Sequence, residues 1–186
     1  PSHLTRWLTS RVMTRLSRPA GIAARHRKAE QARVKAGAPH CVEYFHQVDE
    51  GYSYLAAQTL ERLVARYDIE LRCHLVRGQE GKNAPEPELL AQLACVDAHL
   101  IAPGYGLTFP DHPSAPAAGL VETAAQILAA QSDADFSRVA VSVSDALWLD
   151  DADRMAQLAR EGGAASAAAT TAAIEAGTAR RRELKH

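Results

Sequence analysis

The sequence predicts an α/β chain with one strand–helix–strand unit, a large helical region after it and a basic helical arm before it. Three observations predict this. Residues 41–76 alternate between short β-rich runs and a helical apolar pattern, from Glu88 onward every patterned stretch has helical spacing, and the charge changes sign near residue 40. The expected division is a basic arm over 1–40, a βαβ unit over 41–78 and a helical region over 79–186.

In the arm, Leu4, Trp7, Leu8, Val12 and Leu16 recur at helical spacing with arginines between them. Residues 3–17 therefore read as an amphipathic basic helix that Pro19 and Gly21 interrupt, followed by a second helix from Ile22 to about Lys35. Nine Lys and Arg residues stand against the single acid Glu30 in these 40 residues, a net charge of +8. The whole 186-residue chain carries −1, so the remainder is −9, which disfavours nucleic-acid binding by the body. Three roles fit the arm: docking on an acidic surface of the same protein or a partner subunit, binding an anionic membrane or nucleic acid, and organelle targeting.

After the Gly37-Ala38-Pro39 break, Cys41–Gln47 is short and β-rich, the pattern of a buried first strand. Tyr52, Leu55, Ala56, Leu60, Leu63, Val64 and Tyr67 follow at spacings of three and four and predict a helix of about four turns beginning after Gly51. On that face Tyr52 is expected in the core and Tyr54 at the surface or a pocket rim. Ile69–Val76 alternates, with Ile69, Leu71, Cys73 and Leu75 on one face, so the unit reads as a parallel βαβ. A polar loop over 79–87 leads to helices over Glu88–Ile101, Leu120–Ala130, Phe136–Trp148, Asp151–Arg160 and Ala164–Leu184. The last is so rich in alanine that its helix propensity exceeds its capacity to specify packing.

With 47% hydrophobic residues and 23% charged, the composition is that of a globular domain, and no apolar run reaches the roughly 18 residues of a membrane span. Nothing reads as a secretory signal, and a cytoplasmic location is the default expectation. Cys41, Cys73 and Cys95 are widely spaced, which argues against a disulfide framework and a zinc site, and they are expected to be reduced and mostly buried. His46, Asp49 and Glu50 are close in sequence but form no known ligand set, and His74, His99 and His112 are isolated, so no metal is expected.

The stretch Val42–Leu55 (Val-Glu-Tyr-Phe-His-Gln-Val-Asp-Glu-Gly-Tyr-Ser-Tyr-Leu) resembles the start of the DsbA-like branch of the thioredoxin superfamily. It is similar in particular to the 2-hydroxychromene-2-carboxylate isomerases and kappa-class glutathione transferases, where a strand ends in Ser-Pro-Tyr-Ser-Tyr/Trp-Leu. The match is strongest at Tyr52-Ser53-Tyr54-Leu55, and Tyr105–Pro110 resembles a Tyr-Gly-Leu-x-Phe-Pro segment of that branch. The resemblance implies a thioredoxin-like βαβ core with a large helical insertion. It also implies a later ββα half of the fold; nothing after Arg180 resembles it, so it is expected to be absent from the sequence in hand or supplied by another chain, since a βαβ unit alone leaves a sheet edge unpaired.

The resemblance places the family's Ser or Cys nucleophile at Glu50, its motif proline at Gly51 and the second cysteine of a redox pair at Ser53. Cys-x-x-Cys disulfide exchange is thereby excluded at this motif. What remains implied is a glutathione-dependent isomerase or transferase acting on a small aromatic or hydrophobic substrate. Its catalytic candidates are Glu50, as general base or helix-terminus acid, and Ser53, as substrate ligand or local backbone partner. Asp49, Tyr52, Tyr54, Tyr105, Phe109 and Trp148 are the substrate-binding candidates, and glutathione is the candidate cofactor. The alternative is a non-catalytic protein of this fold used for assembly or partner binding, with the basic arm and open edge pointing to a homo-oligomer. A thiol oxidoreductase acting through another cysteine is disfavoured by their spacing.

Overall fold

The computed structural model describes residues 3–78, 86–111 and 114–184. The chain forms two units, Pro1–His40 and Cys41–His186.

The first unit holds α1 (His3–Leu16) and α2 (Pro19–Lys35). Pro19 does not lie between helices as the sequence suggests; it opens α2, because the first helical position needs no N–H donor and favours the fixed φ of proline. Gly37 follows the end of α2 at φ +60°, and Ala36 N–H returns to the carbonyls of Ala32 and Arg33.

The second unit begins with β1 (Cys41–His46), α3 (Gly51–Arg66) and β2 (Glu70–Leu75). The strands pair in parallel, Cys41 opposite Glu70 through His46 opposite Leu75, in a two-stranded sheet. Then come α4 (Pro87–Ile101), a 3-10 turn (Ala102–Tyr105), α5 (Ala118–Ala129), α6 (Asp133–Trp148), α7 (Ala152–Gly162) and α8 (Ala167–Glu183). Ser132, Asp151 and Ser166 cap α6, α7 and α8, each side chain accepting the N–H three residues on, a standard way to satisfy the free donors of a first turn.

One face of the sheet meets α6: Tyr44 and His46 lie edge-on to Phe136 at 6.3 and 5.7 Å. Behind them Ile127, Leu128, Val143, Leu147 and Met155 fill the core between α5, α6 and α7. The opposite face carries Phe45 stacked on His74 at 5.0 Å, and Glu43. Glu43 takes a two-pronged ion pair from Arg180 of α8, Nη2 to Oε1 at 2.6 Å and Nε to Oε2 at 2.8 Å.

The alanine-rich α8 turns out to be specified by its smallness. A Cβ on Gly177 would overlap the backbone carbonyl oxygen of Leu75, so only glycine lets the helix lie this close to β2. Thr178 Oγ1 then accepts Arg77 N–H at 3.1 Å, extending the contact past the strand end.

Two expectations change. The spacing of Leu89, Leu90, Leu93, Val96 and Leu100 in α4 predicts one apolar face, but all five are exposed and the helix buries Ala98 instead, against Leu55 and Ala102. Cys41 is exposed, while Cys73 and Cys95 are partly buried, and all three are free. Of the isolated histidines, His74 Nε2 meets Glu43 Oε2 at 3.1 Å and His99 Nδ1 meets the Pro110 carbonyl at 3.0 Å. His112 and residues 79–85 of the expected polar loop lie outside the described residues.

Candidate functional site

Where β1 ends, the chain turns through Gln47, Val48 and Asp49 into α3, and this corner holds the resembling motif. Glu50 is the helix cap: its backbone is extended (φ −118°, ψ 123°) and its carboxylate accepts Ser53 N–H at 2.6 Å. A carboxylate there is favoured twice, by the free N–H groups and by the positive end of the helix dipole. Packing at Gly51 is tight, since a Cβ there would sit 3.1 Å from both Ala98 Cβ and Phe109 Cζ and those side chains would have to give way by a few tenths of an ångström. Ser53 is buried, and its hydroxyl accepts Gln47 N–H at 3.2 Å, tying the helix start back to the strand end. Asp49 Oδ1 accepts from Gln47 Nε2 at 3.0 Å.

The two tyrosines exchange the places expected for them. Tyr52 is 41% exposed, and its hydroxyl donates to Asp97 of α4 at 2.6 Å, a bond that pushes its pKa up to about 12. Tyr54 is buried and donates to Asp145 of α6; burial, then that bond, raises its pKa well above the usual phenol range. Tyr54 also meets Phe109 at 5.7 Å, which meets Trp148 at 5.0 Å.

A cavity of about 650 Å³ opens at this corner. It brings together four of the expected residues, Asp49, Glu50, Tyr52 and Ser53. The buried Tyr54 and Trp148 and the partly buried Phe109 instead pack together outside its lining, and Tyr105 is exposed. The aromatic wall expected from the sequence is thus replaced by Phe45 and by Leu90 and Leu93 of α4, with Gln47 and Arg181 as further polar lining. Phe45 could have been found from alternation, as it faces away from Tyr44 and His46. Arg181 had no signal: it arrives from the far end of the chain, its Nη2 donating to the Arg77 carbonyl at 3.0 Å.

The thiols nearest the corner are not prepared for chemistry. Burial pushes the Cys73 thiol up to about 12 and raises that of Cys95, to which Glu50 and Asp49 add by like-charge repulsion of a thiolate. Among the described residues no three His, Cys, Asp or Glu side chains converge to hold a metal.

On the face of β1 that meets α6, His46 is fully buried. Its Nδ1 is 2.8 Å from the Tyr44 hydroxyl, which itself donates to the Ser53 carbonyl at 2.7 Å, and its Nε2 has no hydrogen-bond partner among the described residues. Since Tyr44 spends its proton on Ser53, the tautomer that satisfies the chain carries the imidazole proton on Nδ1.

No family model matches the chain, and no curated protein does. Solved structures do. A "putative protein disulfide isomerase" from Nitrosomonas europaea superposes with a TM-score of 0.56 at 14% identity, over 79% of this chain and 79% of that one. A 2-hydroxychromene-2-carboxylate isomerase superposes with a TM-score of 0.53 at 20% identity, over 78% of this chain and 81% of that one. With a parallel βαβ core, a helical insertion and these two neighbours, the chain has the DsbA-like thioredoxin fold.

Proposed function

We propose that this protein binds a small, largely apolar or aromatic molecule in the cavity at the start of α3, and that it works there without thiol chemistry. One observation carries the proposal: the Glu50 carboxylate already occupies the anion position of the helix, 2.6 Å from Ser53 N–H. A thiolate, whether a cysteine or the sulfur of bound glutathione, would need those same donors and would face a fixed negative charge. The walls support the ligand class. Phe45, Leu90, Ala91, Leu93 and Ala94 supply apolar surface, and Arg181 supplies a cation for an acidic group. The isomerase neighbour is named for such a molecule, an aromatic carboxylate.

A second reading is proton transfer with Glu50 as the base, favoured by the fact that Glu50 and Ser53 line the same cavity. Under it, Glu50→Gln abolishes turnover of a bound molecule without abolishing binding.

The test is a backbone amide NMR screen of small aromatic acids and neutral aromatics. Binders are expected to shift Gln47, Gly51, Tyr52, Ser53, Leu90 and Ala94 together, with the acids weakened by Arg181→Ala. Binders that shift only residues outside this set, or a screen with none, contradict the proposal.

A further inference from the structure

We propose that α1 is an interfacial helix that lies on an anionic phospholipid surface, independently of the cavity in the second unit. On α1, Leu4, Trp7, Leu8 and Val12 fall at i, i+3, i+4 and i+8, one side of the helix, and between 49% and 71% of each is exposed. Four large apolar side chains exposed on 14 residues, with Arg11 and Arg15 among them at i+7 and i+11, are a surface that water penalises and that an interface of hydrocarbon and anionic headgroups fits.

The charges point to the nature of the cover. Arg6, Arg11, Arg15 and Arg18 have no acid near them in sequence, since Glu30 is the first in the chain and is held by Arg33 at 2.6 Å. The Arg11 guanidinium lies over the Trp7 ring, 4.7 Å from its centroid, so cation and indole form one unit of the kind favoured where hydrocarbon meets headgroups. The hydroxyls of Thr9 and Thr14 turn inward, donating to the carbonyls of Thr5 and Ser10 at 2.8 Å, which lowers their demand for water. A +8 arm matches a negative headgroup layer.

A nucleic acid would use the arginines but not the apolar row, and a bilayer uses both. At 14 residues α1 is about 21 Å long, and no helix among the described residues is long and apolar enough to cross a membrane, so the helix lies in the plane of the interface.

Trp7 reports the event, because the other tryptophan, Trp148, is buried. The full chain is mixed with vesicles of phosphatidylcholine and phosphatidylglycerol (three to one) and with phosphatidylcholine alone, and is followed by flotation and tryptophan emission. It is expected to float with the anionic vesicles only, with a blue shift of Trp7. Leu8→Glu should abolish both effects while leaving the near-ultraviolet circular dichroism of the body unchanged. Arg6→Ala and Arg15→Ala should each weaken binding about fivefold. Absence of flotation, flotation without the blue shift, tighter binding to duplex DNA than to vesicles, or a lipid-free dimer that Leu8→Glu dissociates would each overturn the proposal.

Discussion

Gly177→Ala is expected to destabilise the second unit by about 3 kcal/mol, as overpacking against a fixed group does. The added methyl overlaps the Leu75 carbonyl oxygen, which belongs to the strand backbone and cannot rotate away as a side chain would. Relief requires α8 to withdraw from β2. That movement would also loosen Thr178 from Arg77, Arg180 from Glu43 and Arg181 from the cavity. In urea the midpoint should fall by about 1–3 M with little change in slope. Gly119→Ala is the control: Gly119 sits exposed in the first turn of α5 with open space where the methyl would go, so the substitution should be neutral or slightly stabilising. Equal effects at both positions would show that α8 does not lie as close to β2 as described.

Stability is expected to fall by about 3 kcal/mol as pH is lowered from 6.5 to 4, through His46. Burial lowers its pKa from the ordinary 6.5 to about 4. Protonation would place a charge and a second N–H in the core, where Nε2 faces no acceptor among the described residues. Across that window the unfolded chain takes up a proton that the folded chain refuses, so acidification favours unfolding, and the effect levels off below the folded value. A separate acid limb follows. Hydrogen bonding to Arg180 holds Glu43 down at about 2 against the ordinary 4.5, so its contribution, present above pH 4.5, is lost as pH falls toward 2. His46→Leu should remove the first window and keep the second, since Tyr44 still has the Ser53 carbonyl as its acceptor. A wild-type stability that is flat between pH 7 and 5 would contradict the burial of a neutral His46.

The strands and most helices are legible in the sequence because period-two and period-3.6 patterns report one-sided burial directly. The core of α5 and α6, with Ile127, Leu128, Val143 and Leu147, follows from such patterns. Where the sequence misleads, the cause is a partner far along the chain. Tyr52 lies on the apolar arc of α3 with Leu55 and Leu63, yet its hydroxyl reaches outward to Asp97, while Tyr54 is buried with its hydroxyl donating to the partly buried Asp145 of α6. In α4 the large residues Leu89, Leu93, Val96 and Leu100 outline one face, but α3 approaches so closely at Gly51 that only the small Ala98 fits between, and the leucines are left outside. At the site, Asp49, Glu50, Tyr52 and Ser53 come together because they are contiguous at a helix start. Phe109 and Trp148 lie outside the cavity and pack instead on each other and on Tyr54. The role of Gly177 was hidden in composition, since nothing about one glycine among alanines says what lies against it.

The displacement of thiolate chemistry by Glu50 is tested most directly by calorimetric titration of reduced glutathione into the wild type and Glu50→Ser. The wild type should give no saturable heat at millimolar glutathione, and Glu50→Ser, which frees the Ser53 N–H and removes the fixed charge, should bind with at least tenfold higher affinity. Tight binding by the wild type that Glu50→Ser leaves unchanged would contradict it, and would mean that the carboxylate does not stand in the anion's place.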